Sequence, residues 1–343
     1  MELGELLKLM VNKKASDMLL RVPSPPVLRI NGVLVPQDDL PPVAEKDAEM
    51  AFERIANPTQ KSIFLREKEM DFAYSISGLA RFRVSVMRQR GTMSIAFRRV
   101  PFDVLSIDDL ELPQILKKLV IKKRGLILIT GPAGSGKSTT MSAIVHYLNR
   151  NERRNVIIIE DTIEYLFSND RSIIAQRDIG DDTQSFAIAL KHAQRHNADV
   201  IIVGDMLDPD TISNAMRAAE ISSLVIGVLN ANDAINAIDL IIEVFSKDKQ
   251  QQIRIELSRV LEAALSQRLA ARINGGRVAA FETLIVDKNV RELIRRGKLI
   301  HISENGCIQS MNKALAELVK SGIISQEEAE GCSSNPEQLQ KTL

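Results

Sequence analysis

LILITGPAGSGKSTT, residues 126–140, is a short apolar run, then a glycine-rich loop, then the start of a helical pattern. Gly131, Gly136, Lys137 and Ser138 satisfy G-x-x-x-x-G-K-[ST], and the strand before and helix after supply the context the motif requires. Glycines at 131, 134 and 136 leave the loop's backbone N–H groups clear to surround phosphate, while Ser135, Lys137, Ser138 and Thr139 carry the cradle into the helix N-terminus. Lys137 offers a point charge to the β- and γ-phosphates, and the Ser138 hydroxyl can ligate magnesium. The motif therefore predicts bound ATP with Mg. Arg124, just ahead of the strand, is a further candidate nucleotide contact.

Downstream of the loop, NVIIIED (155–161), DVIIVGD (199–205) and LVIGVLN (224–230) alternate with helical patterns at 137–150, 183–196, 210–220 and 234–245. That order is the signature of an α/β fold, a parallel sheet with crossover helices. Beyond it, 250–265 and 287–297 read as helices around a hairpin-like RLAARINGGRVAAFETLIV, 310–330 as two short helices, and the closing SSNPEQLQKTL as a frayed tail. Upstream, MLLRV, VLRINGVLVP, DFAYSI, ARFRVSVMRQR and TMSIAFRRV are β-rich, with a helix over 3–12 and helical patterns near 45–67. The chain thus divides into a smaller α+β domain (1–100), a linker with Pro101 and one connecting helix (101–124), a nucleotide-binding α/β domain (125–298) and a C-terminal helical tail (299–343).

Composition narrows the function. Over 343 residues, 45 Lys+Arg against 44 Asp+Glu leave a net charge of +1, so no global field argues for nucleic acid as a partner. Two cysteines, Cys307 and Cys332, are too few for a disulfide framework or a four-thiolate zinc module and fit a reducing compartment. The opening MELGELLKLMVNKKASD lacks a signal peptide's apolar core, and no apolar run approaches membrane-spanning length. The expectation is a cytoplasmic protein that reaches a membrane only through a partner.

Carboxylates follow the strands. Glu160 and Asp161 close one, Glu164 comes three residues later, and Asp205 closes the next, all at the carboxyl edge where doubly wound sheets bind ligands. Glu164 can orient or deprotonate an attacking water, Glu160 or Asp161 can hold a magnesium-bound water, and Asp205 suits magnesium coordination. Two acidic strand ends beside one phosphate loop imply hydrolysis. His192 and His196 have the i, i+4 spacing of a metal pair, but with no Glu after His192 they read as surface histidines.

Taken together, ASDM (15–18), ARFRV (80–84), GPAGSGKSTT, IEDTIEY, AQRDIG, VGDMLD, AAE (218–220) and RELIRRGK (291–298) resemble the secretion and type IV pilus ATPases. Within them the likeness is to the retraction motors of the PilT/PilU type, and DDLELPQILKKL with LIRRGKL is more similar to the PilU branch. The resemblance implies a PAS-like N-terminal domain, a RecA-like ATPase domain, a hexameric ring, a PilT-like paralogue and a platform protein at the inner membrane. It also implies that Arg81, Arg83 and Arg195 approach nucleotide across a subunit interface, and that 290–296 couples hydrolysis to work. Period two would put Arg81 and Arg83 on one strand face, which by itself equally suits a solvated basic strand. The absence of paired C-x-x-C favours retraction over extension motors, which carry a zinc insertion.

Several positions depart from the family pattern. Asp205 stands where relatives usually have Glu, Leu207 where they have Arg, Asn230 where Leu-His is expected, Ser223 where Thr-Gly-His ends, and 195–199 replaces an Arg-Glu-Asp-Pro-Asp turn. Asn can only hydrogen-bond as a neutral amide, so imidazole proton chemistry is lost at 230 and 223. These changes are expected to gather around one site. They leave open a weak hydrolase, a non-hydrolysing nucleotide-binding regulator of an active paralogue, and, less favoured, a RecA-like nucleic-acid motor.

Overall fold

A computed structural model describes every residue except 1, 31, 77, 101–103 and 305–307, so Pro101 and Cys307 lie outside the described residues. The chain forms two compact units, residues 1–102 with 162–166, and residues 103–161 with 167–343.

The first unit holds α1 (Leu3–Asn12), β1 (Asp17–Arg21), β2 (Val27–Ile30), β3 (Val33–Pro36), α2 (Glu45–Ile55), α3 (Pro58–Glu67), β4 (Glu69–Ile76), β5 (Ala80–Gln89) and β6 (Thr92–Val100). Its sheet runs β3-β2-β1-β6-β5-β4, antiparallel throughout the described pairings. Alternation makes the core: along β5, Ala80, Phe82, Val84 and Val86 are buried, while Arg81 and Arg83 share the other face. Phe82 meets Phe97 of β6 edge-on at 6.3 Å, and Leu7, Met10, Phe52 and Phe64 from the helices complete the same cluster.

The second unit opens with α4 (Ile115–Val120), β7 (Gly125–Thr130), α5 (Lys137–Asn151), β8 (Asn155–Glu160), β9 (Ile173–Asp178), α6 (Phe186–Arg195), β10 (Val200–Val203), α7 (Pro209–Ile221), β11 (Leu224–Leu229) and α8 (Ala234–Glu243). It continues with α9 (Lys247–Val260), β12 (Leu261–Ala271), β13 (Arg277–Ile285), α10 (Lys288–Arg296), α11 (Ile300–Glu304), β14 (Ile308–Gln309), α12 (Met311–Lys320), α13 (Gln326–Cys332) and α14 (Pro336–Gln340). The sheet order is β14-β13-β12-β7-β11-β10-β8-β9; the run from β12 to β9 is parallel and the β13 and β14 pairings are antiparallel. Both faces are covered. Leu126 and Leu128 of β7 point into a core with α6 to α10, and Ile127 and Ile129 into one with α4 and α5.

Three sequence expectations change. The helix expected over 250–265 ends at Val260, and β12 begins at Leu261, because Ala263–Ser266 is paired on both sides, to β7 and β13, and that pairing overrides the alanine-rich helical preference of the segment. Strand β9 went unread because a polar edge strand, Ile173 to Asp178, carries little alternation. The tail is not frayed throughout: Asn335 caps α14 through the Gln338 N–H, and Leu339 is fully buried against Ala270, Val278 and Leu315. Leu339→Ala is expected to cost this C-terminal cluster about 2–5 kcal/mol. Amide exchange in α14 and α12 reads the loss, and unchanged protection would show that the tail is held by other contacts.

Candidate active site

Strand β7 delivers the chain to the carboxyl edge of the sheet, and the phosphate loop turns there. Gly131 and Gly136 have φ of +146° and +91°, values a side chain would strain, and Gly136 is the N-cap of α5. Ser138 and Thr139 follow in the first helical turn, with Gly134 at the exposed crest. The Lys137 ammonium donates to the carbonyl oxygens of Gly131 and Pro132, 2.8 Å each. Thr130 Oγ1 and Ser135 Oγ are buried with no hydrogen-bond partner, so the loop holds polar atoms that the protein itself does not satisfy.

Asp205 follows β10 at the same edge. Its Oδ1 is buried without a hydrogen-bond partner. Burial raises its pKa above the ordinary carboxylate value and the Asp161 charge adds to this, while the Met206 N–H and the Lys137 ammonium oppose it. Lys137 answers in kind: burial lowers its pKa and Asp205 raises it. An orphaned carboxylate oxygen, electrostatically coupled to the phosphate-loop lysine, fits a water bound to a cation. Glu160 ends β8 beside it, close enough to Gly204 that a Cβ there would lie 3.4 Å from the Glu160 side chain.

What holds Asp205 in place is Met206. Its N–H donates to the Val228 carbonyl at 3.0 Å, and its side chain is fully buried over β11, where a Cβ on Gly227 would lie 2.0 Å from the sulfur. Glycine at 227 is thus required by close approach.

The remaining expected residues divide into separate places. Glu164 belongs to the first unit, lining a cavity of about 200 Å³ with Arg83, Arg98, Arg99 and Tyr165. Arg83 donates to Asp71 at 3.3 Å and Arg81 to Ser75 at 3.5 Å. Leu207 and Asn230 are exposed at the carboxyl edge with Asp205. Ser223 lies at the amino edge instead: it precedes β11, and its hydroxyl donates to the Ala198 carbonyl at 2.8 Å. Arg195 and residues 196–199 precede β10 on that same amino edge, where the Leu224 N–H donates to Asp199 O at 2.9 Å. The departures therefore do not form one cluster, because a six-residue strand puts about 20 Å between its ends. The same length removes Arg124 from the phosphate loop of its own chain, since it precedes β7 while the loop follows it. His192 and His196 line a different cavity of about 500 Å³ with Arg177 and Thr183.

Sequence reading passed over Arg98, although it stands opposite Arg83 across β5 and β6 and donates to Asp17 at 2.8 Å; the alternation in AFRRV carried that signal. It also passed over Gln267, which falls between the helix read over 250–265 and the hairpin-like stretch that begins at Arg268.

Residues 44–275, more than half of the chain, match the family model described as type II/IV secretion system protein. The chain belongs to that family. Similarity to individual members runs further: the type IV pilus retraction ATPase PilT of Pseudomonas aeruginosa is 36% identical over 343 residues, 98% of this chain and 99% of PilT. The type IV pilus ATPase PilU of the same organism is also 36% identical, over 96% of this chain and 88% of PilU. A crystal structure of the pilus retraction motor PilT with bound ADP superposes with a TM-score of 0.93 at 39% identity, covering 99% of both chains. The α/β architecture described above is that of this secretion ATPase family.

Because the native Asp205 pKa lies above its unfolded value, the stability it contributes is present at low pH and lost as pH rises through the native pKa. At neutral pH its ionised form is a cost to the fold. Asp205→Asn is therefore expected to raise the thermal midpoint at pH 7; a lowered midpoint would mean that the carboxylate is a net stabiliser. Gly227→Ala is expected to push Met206 off β11, at about 1–3 kcal/mol of stability. Calorimetry on both variants measures the two effects together.

Proposed function

We propose that this chain is an ATP-hydrolysing motor of type IV pilus retraction, a PilU-like accessory ATPase with weak intrinsic turnover that works as a hexamer. The carrying observation is a complete phosphate loop within a chain that matches a retraction ATPase over 98% of its own length and 99% of the relative's. The PilU branch rests on DDLELPQILKKL and LIRRGKL, because identity to PilT and PilU is equal at 36%. No helix among the described residues is long and apolar enough to cross a membrane, so the reading places the motor at the inner membrane through a platform protein, beside a PilT-like paralogue.

In this reading the ATP phosphates lie in loop 131–138, and Lys137 exchanges its Gly131 and Pro132 carbonyl partners for β- and γ-phosphate oxygens. Ser138 directly, and Asp205 and Glu160 through water, would hold Mg, which neutralises charge on those phosphates. Glu164 orients the water that attacks the γ-phosphorus as the bond to the bridging oxygen breaks. Glu164 belongs to the first unit and the phosphate loop to the second. Arg81, Arg83 and Arg195 serve as nucleotide contacts from a neighbouring subunit. The 1–100, 101–124, 125–298 and 299–343 divisions then act as clamp, connector, ATPase core and C-terminal tail.

A second reading, a nucleotide-binding subunit that regulates an active PilT-like ring, is favoured by Asn230 and Leu207 standing exposed at the carboxyl edge, at positions where the family resemblance leads one to expect His and Arg. Steady-state hydrolysis by the purified protein, alone and mixed with a PilT-like paralogue, separates the two. Turnover by the protein alone that vanishes in Lys137→Ala, and rises in Asn230→His, is the expected result. Nucleotide binding with no turnover unless the paralogue is present would establish the regulator instead.

A further inference from the structure

Strand β12 lies beside β7 in parallel register, with Leu265 opposite Ile129 and Ser266 opposite Thr130. Continuing that register brings Gln267 level with Gly131, where the phosphate loop begins. Gln267 is 2% exposed, and its Oε1 accepts a hydrogen bond of 2.7 Å from the Thr140 hydroxyl, itself 1% exposed in the first turns of α5. The other atoms of Gln267 face the loop. A Cβ on Gly131 would lie 2.4 Å from its carbonyl oxygen, and one on Gly136 2.8 Å from its side-chain nitrogen. Both motif glycines are therefore pressed against one residue, at its backbone and at its amide. The Thr140 bond fixes which way that amide points: Oε1 toward α5, Nε2 toward Gly136.

From this juxtaposition we infer that Gln267 is a positioning residue for nucleotide binding, which braces the phosphate loop between its two glycines and is itself oriented by Thr140. The inference rests on the reading that the loop holds ATP phosphates. The brace matters because the loop has an alternative use for its lysine: Lys137 already donates to the carbonyls of Gly131 and Pro132. A loop able to fold onto its own cation binds ligand in proportion to the fraction of time it stays in the competent form. Gln267 fills the space behind the loop that collapse would occupy. The Ser135 N–H donates to the Pro132 carbonyl at 3.2 Å, so the loop between the two glycines is already turned in the form that Gln267 backs. Neither Gln267 nor Thr140 is asked to touch the reacting atoms.

The test is nucleotide affinity, measured with a fluorescent ATP analogue on the full chain, with thermal unfolding alongside. Gln267→Met keeps volume and removes the bond, and Thr140→Val removes it from the other side. Each is expected to weaken binding by about tenfold, with KM raised more than kcat is lowered. The double variant should bind no worse than either single one, since both delete the same bond. Thr140→Ser restores a hydroxyl and should recover most of the loss, which a packing role alone would not give. Gln267→Glu keeps the acceptor for Thr140 but turns a carboxylate toward Gly136, and should weaken binding further, most at low salt. Should Gln267→Met fail to fold, Thr140→Val against Thr140→Ser decides the question. Unchanged affinity in folded variants, or losses that add in the double variant, overturn the brace. A parent protein that binds no nucleotide overturns the proposed function itself.

Discussion

Strand β7 is hydrogen-bonded on both sides, to β11 through Leu224–Leu229 and to β12 through Leu261–Ser266, and the functional edge of the molecule depends on that double pairing. Leu126 and Leu128 enter one core while Ile127 and Ile129 enter the other. A slip of one residue would exchange the two sets between cores of different shape, so the register is strongly specified. Once β7 is placed, Gly131 emerges level with Gln267 and the loop has a fixed wall behind it. The parallel neighbours β8, β10 and β11 then end at the same edge, bringing Glu160, Asp205 and Asn230 there without further instruction.

That edge carries a tension in its electrostatics. Lys137 and Asp205 are both partly buried, and burial works against the charge of each while their mutual attraction works for it. Their remaining polar capacity is met differently. Lys137 borrows two loop carbonyls, whereas one oxygen of Asp205 has no partner. An anionic phosphate with its counter-cation would complement both residues at once. A site tuned this way gives up some fold stability for ligand complementarity, which is common where a protein must bind and release a charged molecule.

The amino edge of the same sheet has a different character. Ser223, Asp199, Asn155 and Ala198 tie the strand starts together through short hydrogen bonds: the Ser223 hydroxyl to Ala198 O at 2.8 Å, and the Asn155 N–H to the Asp199 carboxylate at 2.8 Å. Ser223 thus satisfies its hydroxyl in the fold of its own chain, and its departure from the family pattern is a separate matter from those at 205, 207 and 230. Two substitutions close in family motifs can be far apart in space when a strand lies between them.

By itself the sequence determined the phosphate loop, the alternation of strands and helices around it, the acids at strand ends and the family. Each of these is written in local chemistry: glycines where the backbone must turn, apolar runs of strand length, a lysine and a hydroxyl at the helix start. The face of β5 shared by Arg81 and Arg83 was legible for the same reason, since period two needs no knowledge of the partner strand. Tertiary structure alone decided the identity of 261–265 as strand rather than helix, the docking of Leu339, the close approach of Met206 to Gly227, and the bracing of Gly131 and Gly136 by Gln267. These depend on which segments lie side by side: Met206 and Gly227 stand 21 positions apart in the chain, and Gln267 more than 100 from either glycine. Helical preference in EAALSQRLA is a matter of a few tenths of a kcal/mol per residue, roughly, and pairing on both sides at Ala263–Ser266 within a buried sheet outweighs it. Sequence spacing could show that an acid follows β10, but only the packing of its neighbour on β11 shows why it stays there.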